Sequence, residues 1–297
     1  MIKQNNELLA ASCRMALAAY LHDLGKFAER AKLEVSKEQL DAHITQYCPF
    51  RVTEANGKGY HSHKHAAYTG FAFDIIEKNA PHLINGDMTP FVNRAQLQNG
   101  QNAAIDSLIN AAASHHKPET FLQWIIATAD RVASGFERQE FEAYNLASDE
   151  APEKAKNKTG KNHYQARQLS LFEQIRLSNQ SPAASSANDL AWRYPLKALS
   201  AHAIFPQAKT VCEPSENDVA QKEYLELWNE FVAGLAKIPN SHRENWALWL
   251  DHFDTAWLTF TQAIPAATAF GTKPEVSLYD HSKATSAIAT ALWRWHF

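Results

Sequence analysis

Residues Leu21-His22-Asp23-Leu24-Gly25-Lys26-Phe27 set an imidazole and a carboxylate side by side, with a glycine and a lysine directly behind them. Two neighbouring side chains that offer a nitrogen and an oxygen donor can grip one divalent cation. Alone the doublet decides nothing, because a chain with 14 histidines and 32 acidic residues meets a His-Asp pair by chance. Its surroundings carry more. Residues 6–21 place Leu, Met, Ala and Tyr at helical spacing without Pro or Gly, which predicts a buried, alanine-rich helix over 6–24. Gly25 is expected to stop it. His22 and Asp23 then stand at the C-terminal end of a packed helix, where a buried carboxylate requires a partner.

The same periodicity runs through the chain. Gly and Pro are sparse, alternating β-branched runs are hard to find, and Ala, Leu, Gln and Trp recur three and four residues apart. The expectation is an all-α protein with helices over 6–24, 36–46, 64–79, 101–115, 119–134, 163–177, 217–237, 243–263 and 281–296. Two stretches read as linkers: 150–162, rich in Lys with Gly160, and 178–188, a Ser/Ala/Asn/Pro run. They divide the chain into a core over 1–149, linkers over 150–189 around a short helix carrying Leu169, Leu171, Phe172 and Ile175, and a Trp-rich portion over 190–297.

At 297 residues the chain can enclose a sizeable core. Its net charge of −3 argues against nucleic-acid binding through bulk charge, leaving only local patches such as Lys154, Lys156, Lys158 and Lys161. That run reads first as a solvated loop. Tyr60 and Tyr68, near the first histidines, read as ordinary core aromatics. Trp246, Trp249, Trp257, Trp293 and Trp295 read as core, or as a face for other domains, before a base-stacking platform. Cys13, Cys48 and Cys212 lie far apart with no C-x-x-C pair, which points to a reducing, cytoplasmic compartment. No stretch approaches the ~20 apolar residues of a membrane span, and the N-terminus lacks a signal-like apolar core, so a soluble protein without a membrane partner is expected.

The histidines are unevenly placed. His61, His63 and His65 alternate just before the apolar run Ala66-Ala67-Tyr68-Thr69-Gly70-Phe71-Ala72-Phe73. His115 and His116 end the run Ile105-Asp106-Ser107-Leu108-Ile109-Asn110-Ala111-Ala112-Ala113, which Pro118 closes. Asp130 emerges late in Ile125-Ile126-Ala127-Thr128-Ala129-Asp130-Arg131. Each group puts ligand types on the rim of a buried helix. Neutral imidazole suits borderline transition metals, and carboxylate adds charge and can bridge. His with Asp, and no Cys, points to an open hydrolytic centre more than to a structural zinc site. Read singly, His61 and His63 are loop residues, while His65 at a helix start is a ligand. Adjacent helical side chains diverge by about 100°, so one of His115 and His116 reads as a ligand and the other as its support or a phosphate contact. Asp130 alone reads as half of an ion pair with Arg131 or Arg138.

In this order, His-Asp, then His, then His-His, then Ala-Asp-Arg, the motifs resemble the HD superfamily of metal-dependent phosphohydrolases and phosphodiesterases. Leu21 to Lys26 is similar to its His-Asp-x-Gly-Lys signature, His65 to its helix-start histidine, His115-His116 to its histidine pair and Ala129-Asp130-Arg131 to its closing aspartate. The family normally opens on a helix with a metal-binding His upstream of the doublet, and residues 1–21 contain no histidine. Leu278-Tyr279-Asp280-His281-Ser282-Lys283-Ala284-Thr285-Ser286-Ala287-Ile288-Ala289 resembles that missing helix, which makes the order permuted. A permuted HD domain, with Ser134-Gly135-Phe136-Glu137-Arg138 after the last aspartate, resembles the large subunit of type III CRISPR effector complexes, the Cas-ten family.

That resemblance covers most of the chain. It implies an HD-domain helical bundle with circularly permuted motif order, completed by a C-terminal helical portion whose helix over about 278–296 returns the first HD helix. It also implies a metal-dependent DNA nuclease, endonuclease or exonuclease, that cuts single-stranded DNA in antiviral defence. Partners would be palm domains or other subunits of a ribonucleoprotein with guide RNA. The Gly-Gly-Asp-Asp motif of the family's cyclic oligoadenylate synthesis is absent, so that activity is not expected, and the chain resembles only the N-terminal HD portion, as a piece or as a separate protein. His22, Asp23, Asp130 and His281 are assigned to one ion and His65, His115 and His116 to a second, with Asp23 bridging. Mn, Ni or Co is favoured for these one or two divalent ions, with Mg, Fe or Zn as further candidates. Lys26 stands equally as a phosphate contact and as a surface lysine beside a helix C-terminus. Two alternatives remain: a free-standing HD phosphohydrolase acting on nucleotides or cyclic dinucleotides, and a non-catalytic structural subunit.

Overall fold

Six of the ten residues in the second half of the first helix, Ala11 to Tyr20, are Ala, Ser or Cys, and these small side chains let neighbours approach closely. The computed structural model describes residues 2–52, 59–83, 85–93, 106–137, 161–175, 177, 179, 187–242, 244–268 and 273–296. In it Ile2–Tyr20 forms α1, with every side chain from Ala11 to Tyr20 buried. The chain continues through α2 (Leu24–Arg30), α3 (Lys37–Tyr47), β1 (Phe50–Val52), β2 (Gly59–His61), α4 (His65–Asn79), α5 (Leu108–Ala113) and α6 (Phe121–Glu137). Then follow β3 (Trp192–Arg193), β4 (Gln207–Ala208), α7 (Lys209–Cys212), α8 (Asn217–Leu235), α9 (Trp246–Thr261) and α10 (Leu278–Trp295). The protein is mostly helical, as the periodicity predicts.

Caps explain several starts. Ser36, Ser107, Asn245 and Ser277 each accept a hydrogen bond from the backbone N–H three residues on, closing the first turns of α3, α5, α9 and α10. Helix α1 packs against α10, α9 and α5; α10 also lies on α6, and α2 lies on α4. Small side chains let α10 come close: Ser282, Thr285, Ser286 and Ala289 are buried, and Ser286 Oγ donates to Ala16 O at 3.0 Å. Phe27, Trp228, Phe231, Phe253, Trp257 and Trp293 fill one hydrophobic cluster that draws on residues from Ala11 to Trp293. Trp246 and Trp249 join it, whereas Trp295 is 86% exposed.

Three expectations are corrected. Helix α1 ends at Tyr20 and Gly25 lies inside α2, so glycine does not stop the first helix. The helix expected over 163–177 does not form. Asn162 Oδ1 accepts from the N–H groups of Tyr164 and Gln165 at 3.0 and 3.1 Å, a side-chain turn that competes with helix. Leu169 then bridges antiparallel to Arg193 and donates its N–H to Pro274 O, while Leu171, Phe172 and Ile175 are exposed. Two short antiparallel hairpins, β1 with β2 and β3 with β4, were also not anticipated. Residues 101–105 of an expected helix, and Lys154, Lys156 and Lys158, lie outside the described residues, as do most of 178–188. Lys161 forms an ion pair with Glu213. Among the described residues no helix is long and apolar enough to cross a membrane.

Candidate metal centre

The turn Leu21-His22-Asp23 between α1 and α2 breaks the helical hydrogen-bond ladder, and Thr69 of α4 repairs the break. Its buried hydroxyl donates to His22 O and accepts from Gly25 N–H, both at 2.9 Å. Gly25 is required by contact: a Cβ there would stand 1.7 Å from His65 O and 2.5 Å from Thr69 N. The absent side chain therefore lets α2 lie against the start of α4, which brings the doublet to His65.

Two of the imidazoles are oriented by main chain. His22 Nδ1 lies 2.7 Å from Ala19 O, and His115 Nδ1 lies 2.8 Å from Ala112 O. A carbonyl only accepts, so each Nδ1 carries the proton and donates, and each Nε2 turns inward. His22 Nε2 is 3.1 Å from His281 Nε2 and 3.3 Å from Asp23 Oδ2. His281 Nε2 is 3.3 Å from Asp23 Oδ2 and 3.2 Å from Asp130 Oδ1. On the other side of the doublet, Asp23 Oδ1 faces His65 Nε2 at 3.5 Å and His115 Nε2 at 3.7 Å, and His65 Nε2 meets His116 Nε2 at 2.8 Å. All seven residues expected as ligands come together, and Lys26 Nζ pairs with Asp23 Oδ2 at 2.6 Å.

Donor spacing tests whether a cation fits. With metal–ligand bonds of about 2.1 Å, donors around one ion stand about 3.0 Å apart in octahedral and about 3.4 Å apart in tetrahedral arrangement. The contacts of His22 and His281 with each other and with Asp23 and Asp130 run from 3.1 to 3.6 Å. His22, Asp23 and His281 therefore fit one ion, with Asp130 set against His22 and His281 beside them. The His65, His115 and His116 donors all lie within 4.8 Å of one another, and so do those of His22, His115 and Asp130. His115 Nε2 is buried without a hydrogen-bond partner, which a neutral imidazole tolerates where its lone pair has a cation to meet.

Charge follows the same division. Burial would raise the Asp23 carboxyl, but Lys26, His22 and His281 outweigh it and hold the group well below the usual carboxylate range. Asp130 is depressed likewise, its burial outweighed by hydrogen bonds to His22 and His281. Burial, then His22, lowers His115 to about 4 against the pull of Asp23 and Asp130. Burial and neighbouring cations also hold His65 and His116 well below the ordinary histidine value. His22 goes the other way, its burial outweighed by Asp23 and Asp130. Ionised carboxylates with neutral His65, His115 and His116 suit a cation, whereas His22, held to its proton by the two carboxylates, gives that proton up when it ligates.

One neighbour was read differently from sequence. His63 has a left-handed backbone (φ 57°), and its ring centroid lies 4.0 Å from that of His116. Its ring reaches His116 from that backbone conformation, which nothing in the local residue pattern announces. His61 is different: it lies against Phe50 and Cys48 O.

No family model matches the chain, and no curated protein does. Among solved structures, the Csm1-Csm4 subcomplex of the type III-A CRISPR-Csm interference complex is similar at TM-score 0.48 and 15% identity, over 97% of this chain and 28% of that one. A Csm1-Csm4 cassette in complex with cA4 is similar at TM-score 0.44 and 19% identity, over 97% and 28%. Csm1 in T.onnurineus is similar at TM-score 0.43 and 16% identity, over 97% and 29%. The chain thus spans under a third of the length of these structural neighbours.

Proposed function

We propose that this chain is a metal-dependent phosphodiester hydrolase, a permuted HD domain that serves as the single-stranded DNA nuclease module of a type III CRISPR effector complex. The observation that carries the reading is convergence: seven ligand-type side chains from five separate stretches of sequence turn their donor atoms toward one another. The motif order that resembles the Cas-ten family supplies the substrate and the partners, namely single-stranded DNA, palm domains or other subunits, and guide RNA.

His22, Asp23, Asp130 and His281 would hold one divalent ion and His65, His115 and His116 a second, with the two oxygens of Asp23 facing the two groups. Such an ion supplies positive charge to the scissile phosphate and acidifies water. The chain's own residues do the rest. Asp23 and Asp130 bring negative charge, and the carbonyls of Ala19 and Ala112 keep the His22 and His115 rings from turning. Lys26 offers an ammonium to a phosphate oxygen or to the charge developing there.

The test offers metal-depleted protein labelled single-stranded DNA, double-stranded DNA, RNA and mononucleotides, with Mn, Ni, Co, Mg, Fe or Zn added back. Cleavage of single-stranded DNA that disappears in the His22→Ala, Asp23→Ala double variant is expected. Turnover of nucleotides without strand cleavage would establish the free-standing phosphohydrolase instead, and no metal uptake the structural subunit.

A further inference from the structure

Asp254, on α9, ties together the two chain segments that supply His22 and His281. Its Oδ1 accepts from Tyr20 OH at 2.6 Å and from Tyr279 OH at 3.1 Å. Its Oδ2 accepts from Lys283 Nζ at 2.7 Å, and the same ammonium reaches Tyr279 OH at 3.0 Å. Tyr20 is the last residue of α1 and stands two positions before His22. Tyr279 and Lys283 stand two positions either side of His281, in the first turns of α10.

Residues two apart on a helix point about 200° from each other, so Tyr279 and Lys283 share the face opposite His281. The clamp therefore holds α10 from behind while His281 points into the cluster. The Ser277 cap and the bond from His281 N–H to Ser277 O hold the first turn itself, so what the clamp adds is the rotation of that turn about the helix axis. A rotation of about 10° about the helix axis moves a side-chain tip by about 1 Å, at a radius of about 6 Å. Ligand geometry tolerates about half of that.

We infer that Asp254 is a positioning residue for the candidate metal centre, setting the separation of His22 and His281 through Tyr20, Tyr279 and Lys283. The role rests on the metal-centre reading above. Asp254 itself touches neither ligand; it fixes the end of one helix and the rotation of another, two elements that meet only through tertiary contact.

Co(II) serves as the probe, because its visible absorption reports the ligand field independently of any cleavage. Metal-depleted wild type, Asp254→Asn, Asp254→Ala and the Tyr20→Phe, Tyr279→Phe double variant are titrated with Co(II), with far-ultraviolet circular dichroism and Tm recorded for each. Asp254→Ala is expected to bind Co(II) roughly tenfold or more weakly with altered bands, the scale set by groups that orient ligands. Asp254→Asn keeps an acceptor for the tyrosines and should retain most of the affinity. The double variant removes only two hydroxyls, so it reads the same effect if Asp254→Ala fails to fold. Wild-type affinity and bands in both Asp254→Ala and the double variant overturn the positioning role alone. No Co(II) uptake by the wild type overturns the metal reading and this role with it.

Discussion

The Nε2 atoms of His22 and His281 face each other across 3.1 Å, although 259 positions separate the two residues in sequence. Two imidazole nitrogens this close either share a proton or share a cation. The His22 ring already spends its Nδ1 proton on Ala19 O, so its inward nitrogen is the natural acceptor. Asp23 and Asp130 stand against the same pair. The arrangement thus sets two carboxylates against two imidazoles, because α10 packs both beside α1, whose end leads into the doublet, and on α6, which carries Asp130.

His281→Ala is expected to weaken binding of Mn or Co by at least about tenfold, measured by calorimetric titration of metal-depleted protein. The fold should survive, since α10 keeps Trp293 and Ala289 in the core. Unchanged affinity would remove His281 from the site and with it the permuted arrangement.

Acid should destabilise the metal-free protein through His115. Its folded-state value, about 4, lies below the ordinary 6.5, so as the pH falls the unfolded chain takes up this proton first. The contribution is therefore complete above pH 6.5 and is lost as the pH falls toward about 4. His65 and His116 act in the same direction, and His22, which is raised, opposes them. Urea denaturation from about pH 7 down to about pH 4.5 should show wild-type stability declining, with a shallower slope in His115→Gln. Parallel slopes for the two proteins would refute the assignment.

Two glycines separate contact from conformation. Gly25→Ala would drive a methyl into His65 O and the Thr69 backbone, so we expect a loss of about 3 kcal/mol or more, together with weaker metal binding as α2 is pushed off α4. Gly135, exposed near the end of α6, leaves open space for a methyl, with no other atom within 4 Å of where a Cβ would stand. Gly135→Ala should stabilise by about 0.5–1 kcal/mol through helix propensity. Denaturant midpoints of the two variants should move in opposite directions.

Much of this was legible in the residue pattern, and the exceptions share a cause. Helices such as α4, α8 and α10 follow from apolar spacing, a local property. The ligand types were legible because His and Asp on the rim of apolar runs need a shared reason to be there. Gly25 was misread because its role is an approach to His65 O, a contact 40 positions away. The segment around Leu169 has helical spacing, yet the Asn162 turn and the bridge to Arg193 outcompete it. Asp254 carries no sequence signal at all, since what marks it is where two tyrosines and a lysine from other helices point.

Lys26 and a divalent ion would compete for one oxygen. The Lys26 ammonium lies 2.6 Å from Asp23 Oδ2, the same atom that faces His22 and His281 Nε2 at 3.3 Å. A close, largely buried ion pair contributes on the order of 1.5 kcal/mol, so removing this one should raise metal affinity by about tenfold. Lys26→Met keeps the length and apolar stem of the side chain while removing its charge. If the ammonium also serves the phosphate, strand cleavage at saturating metal should slow in the same variant. Tighter metal binding with slower cleavage is the expected pair of results, read by calorimetry and by single-turnover cleavage. Weaker metal binding in Lys26→Met would show that the ammonium supports the carboxylate's charge without competing for it.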